Sequence, residues 1–452
     1  MDFIQKRSIT EFGLTSDANI RETIHFLTKR KEEKPVMLFL PATYEDATKK
    51  DVMANIINQL KELQENTNSC IDQIVLGLDT ADSEKKFHEV SEQFRVIPRS
   101  LVSWNNSPEM LDFYKDWGDY LNMDIQAGKG RNLAIGLALR QALNGKSSFM
   151  LHDCDILPKY YNTAKVLGLI EPIINPYYNF NFAKAYYHRR AIGNSTKETI
   201  KGRLTRLMMG PLIDALKDCF GEDLDVRRHL DAIQSFKYPL AGEFAMDAKV
   251  ASVIPIQPDW GLEISSLNFI CRQPYTIAQV DWGEYDHKHS TLIPEEIIGW
   301  HEFSKLFPRK VRKRDWNQFS KKFYEIIPKK KKEGGLMRMS SEVAKTFFRE
   351  LPASVRTRLK DDYTFDRLLI QYDKYIEKAL KDYQMISRKN SWEYDLEEER
   401  QAVNVFRGGL VKAHLRFKSS PESLKPFPPW ETIDKKYMNA VRDIVMKYNP
   451  PE

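Results

Sequence analysis

An α/β fold with an open, mostly parallel sheet is predicted by three observations. Apolar runs such as Val36-Met37-Leu38-Phe39-Leu40 and Ile74-Val75-Leu76 have the unbroken hydrophobicity of strands buried on both faces. Between them Val52, Ile56, Leu60 and Leu63 recur at helical spacing. The run Ser148-Phe149-Met150-Leu151 then ends in two aspartates, Asp153 and Asp155. Alternating strand and helix signals of this kind belong to parallel sheets covered by helices on both faces.

Taken in order, residues 1–34 are polar with one helical stretch and read as a lead-in. The first strand should stop at Pro41, because proline cannot donate to a ladder. Phe94-Arg95-Val96-Ile97 reads as a third strand after Ile74-Val75-Leu76. A helix spanning 131–143 leads into the strand before Asp153. Asn179 to Tyr187 alternates like a strand, His188-Arg189-Arg190 follows, and 199–216 reads as a helix. Beyond Ser290 the pattern turns to helices and charge, strongest over 365–386 and 433–448. The expected division is a lead-in at 1–34, a main domain at 35–300 with halves 35–160 and 161–300, and a basic linker with a helical extension at 301–452.

Composition narrows the class. The 452 residues, 42% hydrophobic and 12% aromatic, suffice for a globular core. No run approaches the ~20 apolar residues of a membrane span. The first residues lack the apolar core of a secretory signal, and the four cysteines show no CxxC pairing, so a cytoplasmic protein is expected. The net charge of +6 owes much to Arg309-Lys310-Val311-Arg312-Lys313-Arg314 and Lys329 to Lys332. That suits anionic partners in general, but no nucleic-acid module accompanies it. No G-x-G-x-x-G follows the first strand and no P-loop motif occurs, which weakens dinucleotide and P-loop readings.

The chemistry concentrates at the strand ends. In open parallel sheets ligands bind beyond the carboxyl ends of the strands, where Pro41-Ala42-Thr43-Tyr44-Glu45-Asp46, Asp79 and Asp153-Cys154-Asp155 all fall. Paired carboxylates there suit Mg²⁺ or Mn²⁺ bridging to a diphosphate. Downstream, Gly202-Arg203-Leu204-Thr205 offers an N–H, a guanidinium and a hydroxyl to a phosphate or carboxylate. Gly242-Glu243 and Gly261-Leu262-Glu263 set a carboxylate beside a glycine, where backbone can approach a ligand. In an extended segment His287 and His289 would face one side, as surface groups or as metal ligands.

The ordered series Pro41…Glu45, Asp79, Gly128-Lys129-Gly130, Asp153-Cys154-Asp155, Gly202-Arg203-Leu204-Thr205, Gly242-Glu243, Gly261-Leu262-Glu263 and His287 resembles the glucosyl-3-phosphoglycerate synthases, retaining GT-A glycosyltransferases. The resemblance covers residues 35–290 and leaves the extension outside it. It implies a GT-A nucleotide-sugar-binding sheet, Mg²⁺ or Mn²⁺, a UDP-hexose donor and a small phosphorylated acceptor such as 3-phosphoglycerate. Pro41, Thr43, Glu45, Asp79, Lys129, Asp153 and Cys154 would bind the donor, and Asp155, His287 and Asp153 the metal. Gly202, Arg203, Thr205, Tyr285 and His289 would lie at the acceptor, with Glu263 and Lys129 as the catalytic pair. Leu78, Tyr285 and His289 depart from the family pattern, where a small polar residue, arginine and asparagine are usual. A homodimer is compatible with this reading.

Three rivals share parts of the pattern. Mannosyl transfer from GDP-mannose, or a glycerate-type acceptor, would keep the scaffold. A non-catalytic scaffold protein would use the basic extension, yet Asp153, Asp155, Glu263 and His287 are all present. A nucleotidyltransferase would need a glycine-rich, lysine-bearing loop after Leu40, which is missing.

Overall fold

The computed structural model describes residues 9–13, 17–192, 197–287, 335–419 and 425–450. The strands are β1 (Ile9–Phe12), β2 (Val36–Thr43), β3 (Gln73–Asp79), β4 (Ser100–Trp104), β5 (Ser148–Leu151), β6 (Phe182–Ile192), β7 (Glu198–Ile200), β8 (Phe244–Met246) and β9 (Ile277–Tyr285). The sheet order is β1-β9-β6-β8-β5-β2-β3-β4, with β7 on β6. β5, β2, β3 and β4 are mutually parallel, and β8 runs antiparallel to both β5 and β6. This is the predicted α/β class, and it sets the ends of β2, β3 and β5 on one rim.

The first helices are α1 (Asp17–Lys29), α2 (Tyr44–Ala47), α3 (Lys50–Asn66), α4 (Glu84–Phe94), α5 (Pro108–Leu121), α6 (Lys129–Asn144) and α7 (Thr163–Ile174). After a π-helical turn at Leu204–Met209 come α8 (Gly210–Phe220), α9 (Leu224–Gln234), α10 (Ala248–Val253) and α11 (Leu262–Arg272). Among the described residues the C-terminal region supplies α12 (Gly335–Glu350), α13 (Ala353–Leu359), α14 (Asp362–Lys389), α15 (Leu396–Ser419) and α16 (Lys435–Lys447). Among those described, no helix is long and apolar enough to cross a membrane.

Two compact units interleave along the chain, where the sequence suggested three consecutive segments. The first comprises 1–188, 241–288 and 426–452, and the second 189–240 and 289–425. In the first unit the hydrophobic centre is β2, where Val36, Leu38, Phe39 and Leu40 are fully buried. The C-terminal α16 packs on α5 and α6. Trp430 stacks on Trp117 at 5.0 Å and donates its indole N–H to the Ala134 carbonyl. The Asn449 amide accepts from Val102 N–H at 3.0 Å and donates to Val102 C=O at 2.9 Å.

Four local expectations need correcting. Phe94 ends a helix rather than opening a strand: Phe87, Val90, Ser91 and Phe94 form its buried stripe, and the strand follows at β4. β2 runs through Pro41 to Thr43, pairing with β3 as far as Asp79, because β5 stops opposite Phe39. The Phe39 carbonyl accepts from His152 on the β5 side, so the missing Pro41 donor points past the end of β5. The helix expected at 199–216 starts later, since Glu198–Ile200 pairs with β6. Within the lead-in, Ile9–Phe12 adds an edge strand parallel to β9.

Candidate active site

In the first unit the rim is built from strand ends and the start of α6. Asp79 closes β3 and is almost wholly buried against Arg131, whose guanidinium lies 2.7 Å away. Burial raises the Asp79 pKa, and Arg131 opposes that shift. Arg131 also covers the Tyr114 ring at 4.4 Å. Asn132, one residue on, donates to the Gly77 carbonyl at 2.6 Å and accepts from Asn105. Thr80 follows Asp79 with φ of 64°, a conformation that costs a β-branched residue strain. It is held there by Asn106, which accepts its N–H at 2.6 Å, while the Thr80 hydroxyl accepts from Tyr44 N–H. Thr43 caps α2 by accepting from Asp46 N–H, and Glu45 is exposed on that turn.

Lys129 opens α6 and reaches two carboxylates, Asp153 at 2.6 Å and Glu263 at 3.2 Å. Burial alone would lower the ammonium pKa, but the two carboxylates raise it above the usual lysine value. Burial likewise works to raise Asp153, and Lys129 outweighs it and holds the carboxyl low. The ion pair is therefore fully charged at neutral pH. Gly242 makes room for it: a Cβ there would lie 2.2 Å from Asp153 Oδ2 and 2.6 Å from Lys129 Nζ. Gly242→Ala should displace the pair, lowering any activity that depends on it ~10²-fold as a misplacement of about 1 Å does. The unfolding midpoint should stay within about 4 °C, the equivalent of ~1 kcal/mol. Steady-state kinetics and a thermal melt together check this.

Asp155 faces His287, with Oδ2 and Nδ1 3.2 Å apart and each side chain about a quarter exposed. An antiparallel bridge between Ile156 and His287 and the bond from Leu157 N–H to the Asp286 carbonyl fasten the two loops together. Asp153 is engaged by Lys129 and does not join them. Among the described residues no group of three His, Cys, Asp or Glu side chains could hold a metal alone. Two open donors suit Mg²⁺ or Mn²⁺ all the same. Ligand distances of ~2.0–2.1 Å put neighbouring donors on an octahedral ion ~3 Å apart, the rest coming from water and phosphate. Cys154, between the two aspartates, is buried, and burial raises its thiol pKa.

Tyr285 was expected at the acceptor, but its side chain is fully buried, with its hydroxyl donating to Glu243 and its ring stacked on Tyr187 at 3.9 Å. Leu78 is core. His289 and the basic runs at 309–314 and 329–332 lie outside the described residues.

The second unit holds the remaining residues. Gly202 has φ of 76°, and a Cβ there would meet the Tyr238 hydroxyl at 2.6 Å, so its glycine has a structural cause. Arg203 pairs with Glu398 at 2.7 Å and Glu399 at 2.8 Å, and Arg206 reaches Glu399 at 2.9 Å. Glu399 is nearly buried and Glu398 half exposed. Thr205 sits in the π-helical turn, a form often found at functional sites.

Two buried charged residues beside the site escaped the sequence reading. Arg131 stands in the first turn of α6, where a cation opposes the helix dipole, which is the signal of a carboxylate partner. Lys184 is 2% exposed on β6 and donates to the Ala241 carbonyl at 2.5 Å, beside Gly242, with its pKa lowered to about 8 by burial. Its alternation with Phe182 and Tyr186 placed it on an inward face.

No family model matches the chain. Curated relatives do: the glucosyl-3-phosphoglycerate synthase of Persephonella marina is 28% identical over 442 residues, 96% of this chain and 94% of that protein. That of Methanococcoides burtonii is 26% identical over 449 residues, 98% and 95% of the two chains. The Mycolicibacterium paratuberculosis synthase is 23% identical over 276 residues, 60% of this chain and 70% of its own. Solved structures of the Mycobacterium tuberculosis synthase are 20% identical to this chain. The complex with Mn²⁺ and UDP-glucose has a TM-score of 0.42, covering 62% of this chain and 79% of that one. The complex with Mn²⁺, UDP and phosphoglyceric acid has 0.41, covering 59% and 75%. The likeness was expected to stop near residue 290; the first two relatives carry it through the C-terminal region. Along nearly its full length the chain is similar to glucosyl-3-phosphoglycerate synthases.

Proposed function

We propose that this protein is a retaining hexosyltransferase that moves glucose from UDP-glucose to a small phosphorylated hydroxy acid, 3-phosphoglycerate first, with Mg²⁺ or Mn²⁺ as cofactor. The observation that carries the reading is the open Asp155–His287 donor pair beside the Asp153–Lys129–Glu263 cluster, in a chain similar to glucosyl-3-phosphoglycerate synthases over almost its whole length.

Asp155 and His287 would hold the cation, which when bound supplies positive charge to a leaving diphosphate. Pro41, Thr43, Glu45 and Asp79 lie along the strand ends that would receive the nucleoside, and Arg131 fixes the Asp79 side chain. Asp153 would take the ribose and diphosphate side, with Cys154 packed beneath it. Lys129 brings a full positive charge to that side, an electrostatic contribution available without reorganisation. Glu263, held by Lys129, would orient the sugar or the acceptor hydroxyl. As the resemblance implies, the acceptor would attack on the face the diphosphate leaves, and the departing phosphate would take its proton.

Gly202, Arg203 and Thr205 are assigned to the acceptor phosphate. Arg203 is already ion-paired, but its outer partner Glu398 is half exposed. An exposed pair of that kind is worth only ~0–1 kcal/mol, whereas a charge-assisted bond to phosphate gives roughly 1.5–3 kcal/mol. Exchange of Glu398 for a phosphate is favourable on those numbers. Arg203→Ala should therefore raise the acceptor KM by about tenfold or more and leave UDP binding within twofold. The decisive experiment is a transfer matrix of UDP-glucose, ADP-glucose and GDP-mannose against 3-phosphoglycerate and glycerate, with Mg²⁺, Mn²⁺ or EDTA. Preference for GDP-mannose would move the reading to mannosyl transfer, and no transfer with any pair would remove it.

A further inference from the structure

The residue at 285 is closed off from solvent, and its neighbours link it to the cation pair. Tyr285 ends β9, two residues before His287. Its hydroxyl donates to Glu243 Oε1, and its ring lies flat on Tyr187, 7° from parallel. Its other side meets the His287 ring edge-on at 5.6 Å. Glu243 is itself fully buried, immediately after the Gly242 that accommodates Asp153 and Lys129. Its second oxygen, Oε2, has no hydrogen-bond partner among the described residues. The Tyr285 hydroxyl is thus the donor that Glu243 Oε1 depends on.

We infer that Tyr285 and Glu243 form a positioning pair that sets the His287 imidazole against Asp155, so that position 285 serves cation binding rather than the acceptor. The inference rests on the proposed cation role of Asp155 and His287. Its physical basis is that a single residue, Asp286, separates the end of β9 from His287, and the imidazole's orientation follows from what fixes the residues before it. The flat Tyr187 contact sets the height of the Tyr285 ring, and the bond to Glu243 stops it from rotating or sliding. Outer partners of this kind change metal affinity about 10–100-fold when lost. A cation at 285, by contrast, would be enclosed by Tyr187, Trp282 and the buried Lys165, whose Nζ lies 5.6 Å from the Tyr285 ring. A second positive charge would repel Lys165 there, which makes a neutral donor the better fit to Glu243.

The test is Mn²⁺ binding to the full-length protein without nucleotide, read as loss of the free-ion paramagnetic resonance signal. Tyr285→Phe keeps the ring stack and removes only the donor, and should weaken Mn²⁺ binding about tenfold. Glu243→Gln keeps an acceptor for the hydroxyl and should stay within threefold of the parent. Thermal melts of both identify folded protein. Should Tyr285→Phe prove unfolded, Tyr187→Leu, which removes the stack and keeps the donor, should still weaken Mn²⁺ at least threefold. Asp155→Ala separates the two readings. If it abolishes Mn²⁺ binding while folded Tyr285→Phe binds like the parent, the positioning role is overturned. If Asp155→Ala also binds like the parent, the cation site itself is wrong.

Discussion

Asp155→Ala should lose divalent-dependent transfer by on the order of 10²–10³-fold, the scale seen when one preorganised electrostatic group is removed. The loss should lie in kcat and in the half-saturating Mg²⁺ or Mn²⁺ concentration, because the side chain supplies one donor of the Asp155–His287 pair proposed to hold the cation. The fold should survive. The carboxylate is a quarter exposed and its partner His287 is equally so, so circular dichroism and the melting midpoint should match the parent. His287→Ala should reproduce the same phenotype. A variant at Asp155 that keeps full activity in a metal-titrated assay would remove the cation assignment.

Arg131→Met should be the most damaging single substitution for stability. It leaves Asp79 almost fully buried with its opposing charge gone, and breaking a buried pair in this way costs about 3–5 kcal/mol. Methionine fills the space over Tyr114, which keeps the loss electrostatic. The sign with pH follows from the raised folded-state pKa of Asp79. The folded carboxyl binds its proton more tightly than the unfolded one, so its contribution favours the fold at pH below the unfolded value and is lost as pH rises through the folded value. Without Arg131 that folded value rises further. The deficit against the parent should be smaller at pH 5 than at pH 7, as urea titrations at the two pH values would show.

What could be read from the sequence was local. Asp153 and Asp155 stood out because an apolar strand ended on them, and a strand end on the rim of a parallel sheet is a ligand position wherever the strand lies in the order. The partners did not stand out, because partners are made by folding. Lys129 and Glu263 are 134 residues apart, and Arg203 meets Glu399 across 196. Nothing near Arg203 announces that its guanidinium is already engaged. Phe94-Arg95-Val96-Ile97 misled because four residues with apolar bias fit a strand or the close of an amphipathic helix equally well. β4, with serines at both Ser100 and Ser103, hid behind its polarity. Tyr285 illustrates another limit: a departure from a family pattern is visible in sequence, but the burial of the side chain that fills it is visible only in the fold.

The Asn449 amide has a consequence beyond its three hydrogen bonds. β4 is the last strand in the sheet order, and such a border leaves a ladder half-made. Asn449 answers Val102 on both its N–H and its C=O and ties itself to the Val445 carbonyl at 2.8 Å. A side chain thus imitates one residue of a missing tenth strand and holds that place against any other chain. The strand's open margin is thus occupied by an amide near the C-terminal helix, far in sequence from the strand it guards.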